Sequence, residues 1–413
     1  MKEAPYKCRF CGKDLQFTFA DLGVSPLANS YLREDQLSKM EPFYALHAYV
    51  CENCLLVQLP AMETSENIFG DYAYFSSYSD SWLKHAETYT DLMIERFGFD
   101  QNSHVMEIAS NDGYLLQYFE RRGVPILGIE PARNVAKVAI EKGIPTLVKF
   151  FGTQTATELA GEGKLADLII GNNVLAHVPD LNDFVAGMKT ALKPRGIITM
   201  EFPHLMRLMA ENQFDTIYHE HFSYFSFLAV RRVFAEHGLE MFDVEQIPTH
   251  GGSLRIYARH REDSSRPVGD RVGALLDAEK AAGYDRLDYY RDFDEAVKET
   301  KRNILDFMLA AKRAGKSIAG YGAPAKGNTL LNYTGIRTDF IDYTVDRSPH
   351  KQGLYLPGTR IPILHPDVIG KTKPDYLVIL PWNLKDEIME QMAHIREWNG
   401  RFVTLIPNVT VHA

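Results

Sequence analysis

Side chains suited to chemistry concentrate in two places along this 413-residue sequence. The first is Tyr218-His-Glu-His-Phe-Ser-Tyr224, which sets two imidazoles, a carboxylate and two phenols into seven consecutive residues. Imidazole titrates nearest neutral pH and a neighbouring carboxylate or phenol can orient it, so the stretch suits proton transfer. A buried aromatic strand with one satisfied histidine is the competing reading. On an extended segment His219 would face away from its neighbours, toward the core. His250, ahead of two glycines, either lies near a site or caps a turn.

The second place is the pair Cys8-x-x-Cys11 and Cys51-x-x-Cys54, which holds all four cysteines of the chain. Each turn presents two thiolates to one centre, and two turns complete the tetrahedral sulfur shell that Zn2+ accepts. Local disulfides and an iron–sulfur or redox site are the alternatives, set against a reducing compartment. Four thiolates leave no coordination position for water, so a metal on Cys8, Cys11, Cys51 and Cys54 would be structural.

The elements that must position these groups read as α/β. After the cysteines comes a Tyr-rich run, Asp71 to Ser79, with Tyr72 and Tyr78 as hydroxyl donors to a polar ligand or simply as packing. A helical pattern spans Ser81 to Phe97. The strand His104–Ala109 leads through Ser110-Asn-Asp-Gly113 into a helix, a turn that lets backbone amides approach a ligand. The next strand, Pro125–Ile129, ends in Glu130, placed to grip a ribose. Ala166–Ile170 and Gly196–Met200 read as further buried parallel strands, with Asn172, Asn173 and His177 at the ligand-binding end of the first. A long helical section, Val272 to Ala314, precedes a second strand–glycine turn–helix, Lys316 to Gly327. There Gly320-x-Gly322-x-x-Ala325 matches a relaxed dinucleotide fingerprint, with Asp346 ending the next strand, Phe340–Val345. That turn can mean NAD, or Lys326 at a helix N-terminus can hold a pyrophosphate without nicotinamide chemistry.

Length implies two or three domains. A net charge of −9 argues against sequence-independent nucleic-acid binding. No apolar run reaches bilayer length and the N-terminus has no signal-like segment, so a cytoplasmic, non-membrane protein is expected.

Taken together, Glu107-Ile-Ala-Ser-Asn-Asp-Gly113, Glu130 and Leu192-Lys-Pro-Arg-Gly196 resemble a class I S-adenosylmethionine-dependent methyltransferase. An NAD-binding Rossmann unit is the structural competitor. Adding the four cysteines, the Tyr-rich run, Tyr218-His-Glu-His221 and His250-Gly-Gly-Ser-Leu-Arg255, in this order, the whole chain resembles nucleotide-sugar C-methyltransferases of branched deoxysugar biosynthesis. Ala109 departs from the broader pattern, where glycine is usual. The resemblance implies a zinc module (1–70), a class I methyltransferase Rossmann-like domain (71–260) and a second Rossmann-like α/β domain (261–413) that helps bind the nucleotide.

It further implies S-adenosylmethionine held by Glu107, Ser110, Asn111, Gly113, Glu130, Asn172 and Asn173. A nucleotide-sugar substrate would touch Tyr78 and Lys326, with Tyr72, His177, Tyr218, Glu220 and His221 around the sugar. Carbon becomes nucleophilic beside a carbonyl, so a 4-keto sugar is expected, methylated at C-3 by resemblance and dTDP-linked. His221 would remove the proton, Glu220 would orient or charge that imidazole, and Tyr218 or His177 would bond the carbonyl oxygen. An NAD-dependent oxidoreductase or epimerase, and a non-enzymatic scaffold, are the other readings.

Overall fold

The computed structural model describes residues 6–64, 66, 70 and 75–412. Near the N-terminus β1 (Phe17–Ser25), β2 (Tyr44–Val50) and β3 (Val57–Gln58) form an antiparallel sheet beside the cysteines. The helix Asp80–Phe97 follows, capped by the Ser79 hydroxyl on the Trp82 amide and stopped by left-handed Gly98.

Five parallel strands then alternate with helices: β4 (Val105–Ile108), β5 (Ile126–Ile129), β6 (Thr146–Leu147), β7 (Ala166–Asn172) and β8 (Leu192–Pro203). All four residues of β4 are buried, as expected of a strand covered on both faces. The short β9 (Ser223–Tyr224) leaves this unit and pairs with β3 of the N-terminal sheet. The chain returns as the hairpin β10 (Leu239–Ile247) and β11 (Ser253–His260). The central order is β6-β5-β4-β7-β8-β11-β10, with β11 antiparallel to both neighbours. This is a class I methyltransferase Rossmann-like core.

The C-terminal third builds a further sheet from β12 (Ile318–Tyr321), β13 (Thr344–Val345), β14 (Ile363–Leu364), β15 (Tyr376–Ile379), β16 (Arg401–Thr404) and β17 (Thr410–His412). Its order is β14-β13-β12-β15-β16-β17, and only the β16–β17 pair is antiparallel. The units interlock through shared cores. Phe19, Leu46 and Val57 pack in one cluster with Phe293, Leu330 and Ile363, while Leu15 and Leu56 join Phe225, Phe227 and Val230 in another. No helix among the described residues is long and apolar enough to cross a membrane.

Three local expectations change. The helical section from Val272 breaks into Asp270–Ala282, Leu287–Arg291 and Phe293–Arg313, because Gly283 takes φ 103° and ends the first. The strand expected from Gly196 begins earlier, at Leu192, as β8, whose register against β7 jumps from Ala166↔Leu192 to Leu168↔Ile197. Only Thr344–Val345 of the stretch from Phe340 is strand, since Phe340 and Ile341 close a turn onto the Arg337 carbonyl.

Candidate active site

The Tyr218–Phe222 segment is a turn closed by the His221 amide on the Tyr218 carbonyl, at 2.8 Å. It is clamped from both sides: the Phe222 amide donates to Ala176 O (2.7 Å) and the Leu59 amide donates to Phe222 O (3.0 Å). Within it, His221 Nδ1 lies 2.8 Å from the Thr216 carbonyl, which only accepts, so the proton resides on Nδ1. Nε2 is therefore the acceptor, and the Tyr218 phenol donates to it at 2.7 Å. Both ring nitrogens are thus engaged, and Glu220 does not orient this imidazole. Its Oε1 instead accepts from Asn29 Nδ2 of the N-terminal module, at 2.7 Å. His177 meets His221 edge to face, with ring centroids 4.6 Å apart. Burial pushes His177 down to about 4. Burial, then the neighbouring His177, holds His221 well below the ordinary imidazole value, so both rings are neutral at pH 7. His219 turns the other way, toward Ala45 O (3.2 Å) and Tyr44.

The turn after β4 is held by Glu130. Its Oε2 accepts the Asn111 amide (2.9 Å) and its Oε1 the Ala132 amide (2.8 Å), while burial pushes the carboxyl up to about 6. Ala109 adopts φ 55°, the left-handed conformation that explains why glycine is usual there. Asn111, Glu130, Asn172 and Asn173 line a cavity of about 580 Å3 that also takes in His177, Tyr218, Glu220 and His221. Glu107, Ser110 and Gly113 are not in its wall. Glu107 is buried against Tyr114, Ser110 packs on Gly128, and a side chain at Gly113 would strike Ile144. These three shape the turn from behind.

The C-terminal glycine turn opens into the same cavity through Pro324, Ala325 and Lys326, at the start of the helix Ala325–Thr334. Lys326 Nζ donates to Asn383 Oδ1 (3.0 Å) and sits 4.7 Å over the Trp382 ring. The Trp382 indole in turn donates to buried Asp215 at 2.7 Å. Asp346 closes the turn by accepting the Ala323 and Ser348 amides, both at 2.8 Å. Tyr78 is not a cavity residue: it is 61% exposed, its hydroxyl 3.2 Å from His350 Nε2. Tyr72 lies outside the described residues. Asn29 and Trp382 carry no local signal in the sequence, because their partners are 191 and 167 residues away. His250, which also lines the cavity, carried only the two following glycines as a signal.

In the N-terminal module the four thiols converge. Cys8 and Cys54 sulfurs are 3.5 Å apart, as are those of Cys11 and Cys51, and all four lie within 4.8 Å of one another. Tetrahedral zinc with Zn–S of about 2.3 Å needs sulfurs about 3.8 Å apart, so the set fits. Gln58 Nε2 donates to Cys8 Sγ at 3.1 Å, neutralising part of the thiolate charge.

Three family models match successive parts of the chain. A zinc binding domain matches residues 8–69, a methyltransferase domain 82–244, and a C-methyltransferase C-terminal domain 248–407. The C-methyltransferase NovU of Streptomyces niveus is 35% identical over 405 residues, covering 98% of this chain and 96% of its own. The chain belongs to the C-methyltransferase family. A ubiquinone biosynthesis O-methyltransferase of Bartonella tribocorum shares 31% identity with this C-methyltransferase over 24% of its chain and 40% of the relative's length. Among solved structures, the PH0226 protein of Pyrococcus horikoshii OT3 gives a TM-score of 0.38 at 16% identity, covering 48% of this chain and 99% of its own. S-adenosylmethionine is the methyl donor of this C-methyltransferase, and the cavity suits such a polar ligand. The buried Asn172 carboxamide in its wall has no hydrogen-bond partner on either polar atom among the described residues.

Proposed function

We propose that the protein methylates a ring carbon of a 4-keto-deoxysugar nucleotide, at C-3 of a dTDP-linked sugar. The observation that carries this reading is His221, held as one tautomer with its acceptor nitrogen in the cavity that also contains the turn after β4. Asn111, Glu130, Asn172 and Asn173 would hold the donor, whose sulfonium supplies an electrophilic methyl group.

His221 Nε2 takes the proton from the carbon beside the keto group, and the C–H electron pair passes into the enolate. The Thr216 carbonyl on Nδ1–H stabilises the imidazolium that results. In the free enzyme the Nε2 lone pair faces the Tyr218 phenol. Abstraction therefore requires that phenol to turn aside, or to pass its own proton to His221 as it takes the substrate's. Glu220, fixed by Asn29, presents a carboxylate to the sugar.

The nucleotide end falls to residues 261–413, a second Rossmann-like domain. Its parallel strand order, glycine turn and Lys326 at a helix N-terminus support an anion-holding role. Because this turn opens into the same cavity, it supports substrate binding over separate nicotinamide chemistry. The reading is tested with His221→Asn. Both methyl transfer and exchange of the ring proton into deuterated water should disappear, and exchange at the wild-type rate would assign the base elsewhere.

A further inference from the structure

The proposed enolisation needs a donor for the keto oxygen as charge develops there. In the free enzyme the one hydroxyl hydrogen of Tyr218 is committed to His221 Nε2, so a donor already in place for the keto oxygen has to come from another residue. His250 has a ring nitrogen to offer. It lines the same cavity from the tip of the β10–β11 hairpin, at the carboxyl end of the parallel strands where open α/β sheets bind ligands.

The hairpin tip is built to hold that imidazole. His250 has φ 55°, a conformation disfavoured for a residue with a side chain. It is enforced from both sides: a Cβ on Gly251 would lie 2.5 Å from the Trp382 ring, and one on Gly252 would lie 2.7 Å from Arg207. Trp82 packs edge-on to the imidazole at 5.2 Å. The Asn173 carboxamide nitrogen donates to His250 Nε2 at 2.7 Å, which leaves the ring hydrogen on Nδ1. Nδ1 makes no hydrogen bond with the described residues. Strained backbone, a fixed tautomer and an unspent N–H thus coincide at the cavity wall.

We propose that His250 is a catalytic residue whose Nδ1–H bonds the keto oxygen of the substrate and stabilises the enolate. The residue forms no covalent bond: as the C–H pair moves toward the oxygen and the proton leaves for the base, the Nδ1–H bond shortens. Burial and the nearby Lys326 push His250 down to about 3, so the ring donates as a neutral imidazole. A neutral donor stabilises the enolate without handing over its proton prematurely.

This inference rests on the enolisation reading, and the test separates the two. His250→Gly keeps the left-handed backbone while deleting the ring. With a dTDP-linked 4-keto-deoxysugar and S-adenosylmethionine, ring-proton exchange and methyl transfer should fall together about 10²- to 10³-fold. Donor affinity by calorimetry should stay within about threefold, and added imidazole should restore part of the exchange. Variant exchange within about threefold of the wild-type rate overturns the role of His250 while leaving enolisation intact. Donor affinity falling as steeply as turnover also overturns it, placing His250 on the donor. Absence of exchange in the wild-type enzyme sinks enolisation itself, and this role with it.

Discussion

Replacing Cys51 with serine should silence His221 while sparing the donor side. Structural zinc contributes about 10 kcal/mol or more to small metal modules, so losing one thiolate should release the N-terminal segment that carries β1, β2 and β3. That segment supports the His221 turn directly. The Leu59 amide holds Phe222 O at 3.0 Å, Ala45 O meets His219 Nε2 at 3.2 Å, and Asn29 holds Glu220 at 2.7 Å. With about 1 kcal/mol for each neutral bond and about 2 for the charged one, some 4 kcal/mol of positioning is lost. The His221 geometry should then be populated about 10³-fold less, with exchange falling at least about 10²-fold. Asn111, Glu130 and Asn172 hang on the central sheet and on each other, so donor affinity should change by less than about threefold. Calorimetry with S-adenosylmethionine and deuterium exchange into the sugar read the two sides separately, with thermal unfolding to confirm that the central unit stays folded. The competing support is apolar: Phe19, Leu46 and Val57 share a core with Phe293 and Leu330. If that core alone holds the module, exchange survives the substitution and the reasoning fails.

Other substitutions test particular contacts. Glu279 is fully buried and accepts His204 Nε2 (2.7 Å) and the Phe227 and Leu228 amides (2.6 and 2.7 Å), so Glu279→Ala should cost about 3 to 5 kcal/mol in urea unfolding. A smaller loss than from a surface Glu→Ala control would refute that accounting. Ala109→Gly should relieve the left-handed backbone, raising stability by up to about 1 kcal/mol with donor affinity retained. Burial pushes Asp215 up to about 6 from 3.8, so the folded state binds its proton more tightly than the unfolded chain. Its contribution is greatest below pH 4 and is lost as pH rises to about 6. Asp215→Asn should remove about 3 kcal/mol of that slope, and Glu130, also pushed to about 6, should retain a share in the same window.

How much of this was legible in the sequence depended on whether the deciding contacts were local. The cysteine spacing, the strand before Asn111 and Glu130 at the end of β5 are short-range patterns, and the fold brings the four sulfurs together and sets Asn111 and Glu130 in one cavity wall. Gly113 packs against Ile144, 31 positions on, a purpose that a turn signature does not distinguish from ligand approach. Tyr78 meets His350 at the surface, and amphipathic side chains read alike in sequence whether they face a cavity or solvent. Glu220 lines the cavity, and its partner is distant in sequence. Adjacency to His221 suggested a pair, whereas the fold spends both ring nitrogens on Thr216 and Tyr218 and turns the carboxylate to Asn29. The place of His250 is not legible locally, because it follows from a hairpin tip pressed by Trp382, a contact made across 131 positions of sequence.

The hairpin strand β11 is the last of the central sheet in sequence yet lies inside it, between β8 and β10. A nascent chain that has emerged only as far as Ile247 therefore leaves the β8 margin open and β10 without a partner strand. Such margins are templates for foreign strands. Until residues 253–260 leave the ribosome the growing polypeptide is open to intermolecular pairing, and synthesis that pauses just short of them should be the moment it most needs a chaperone.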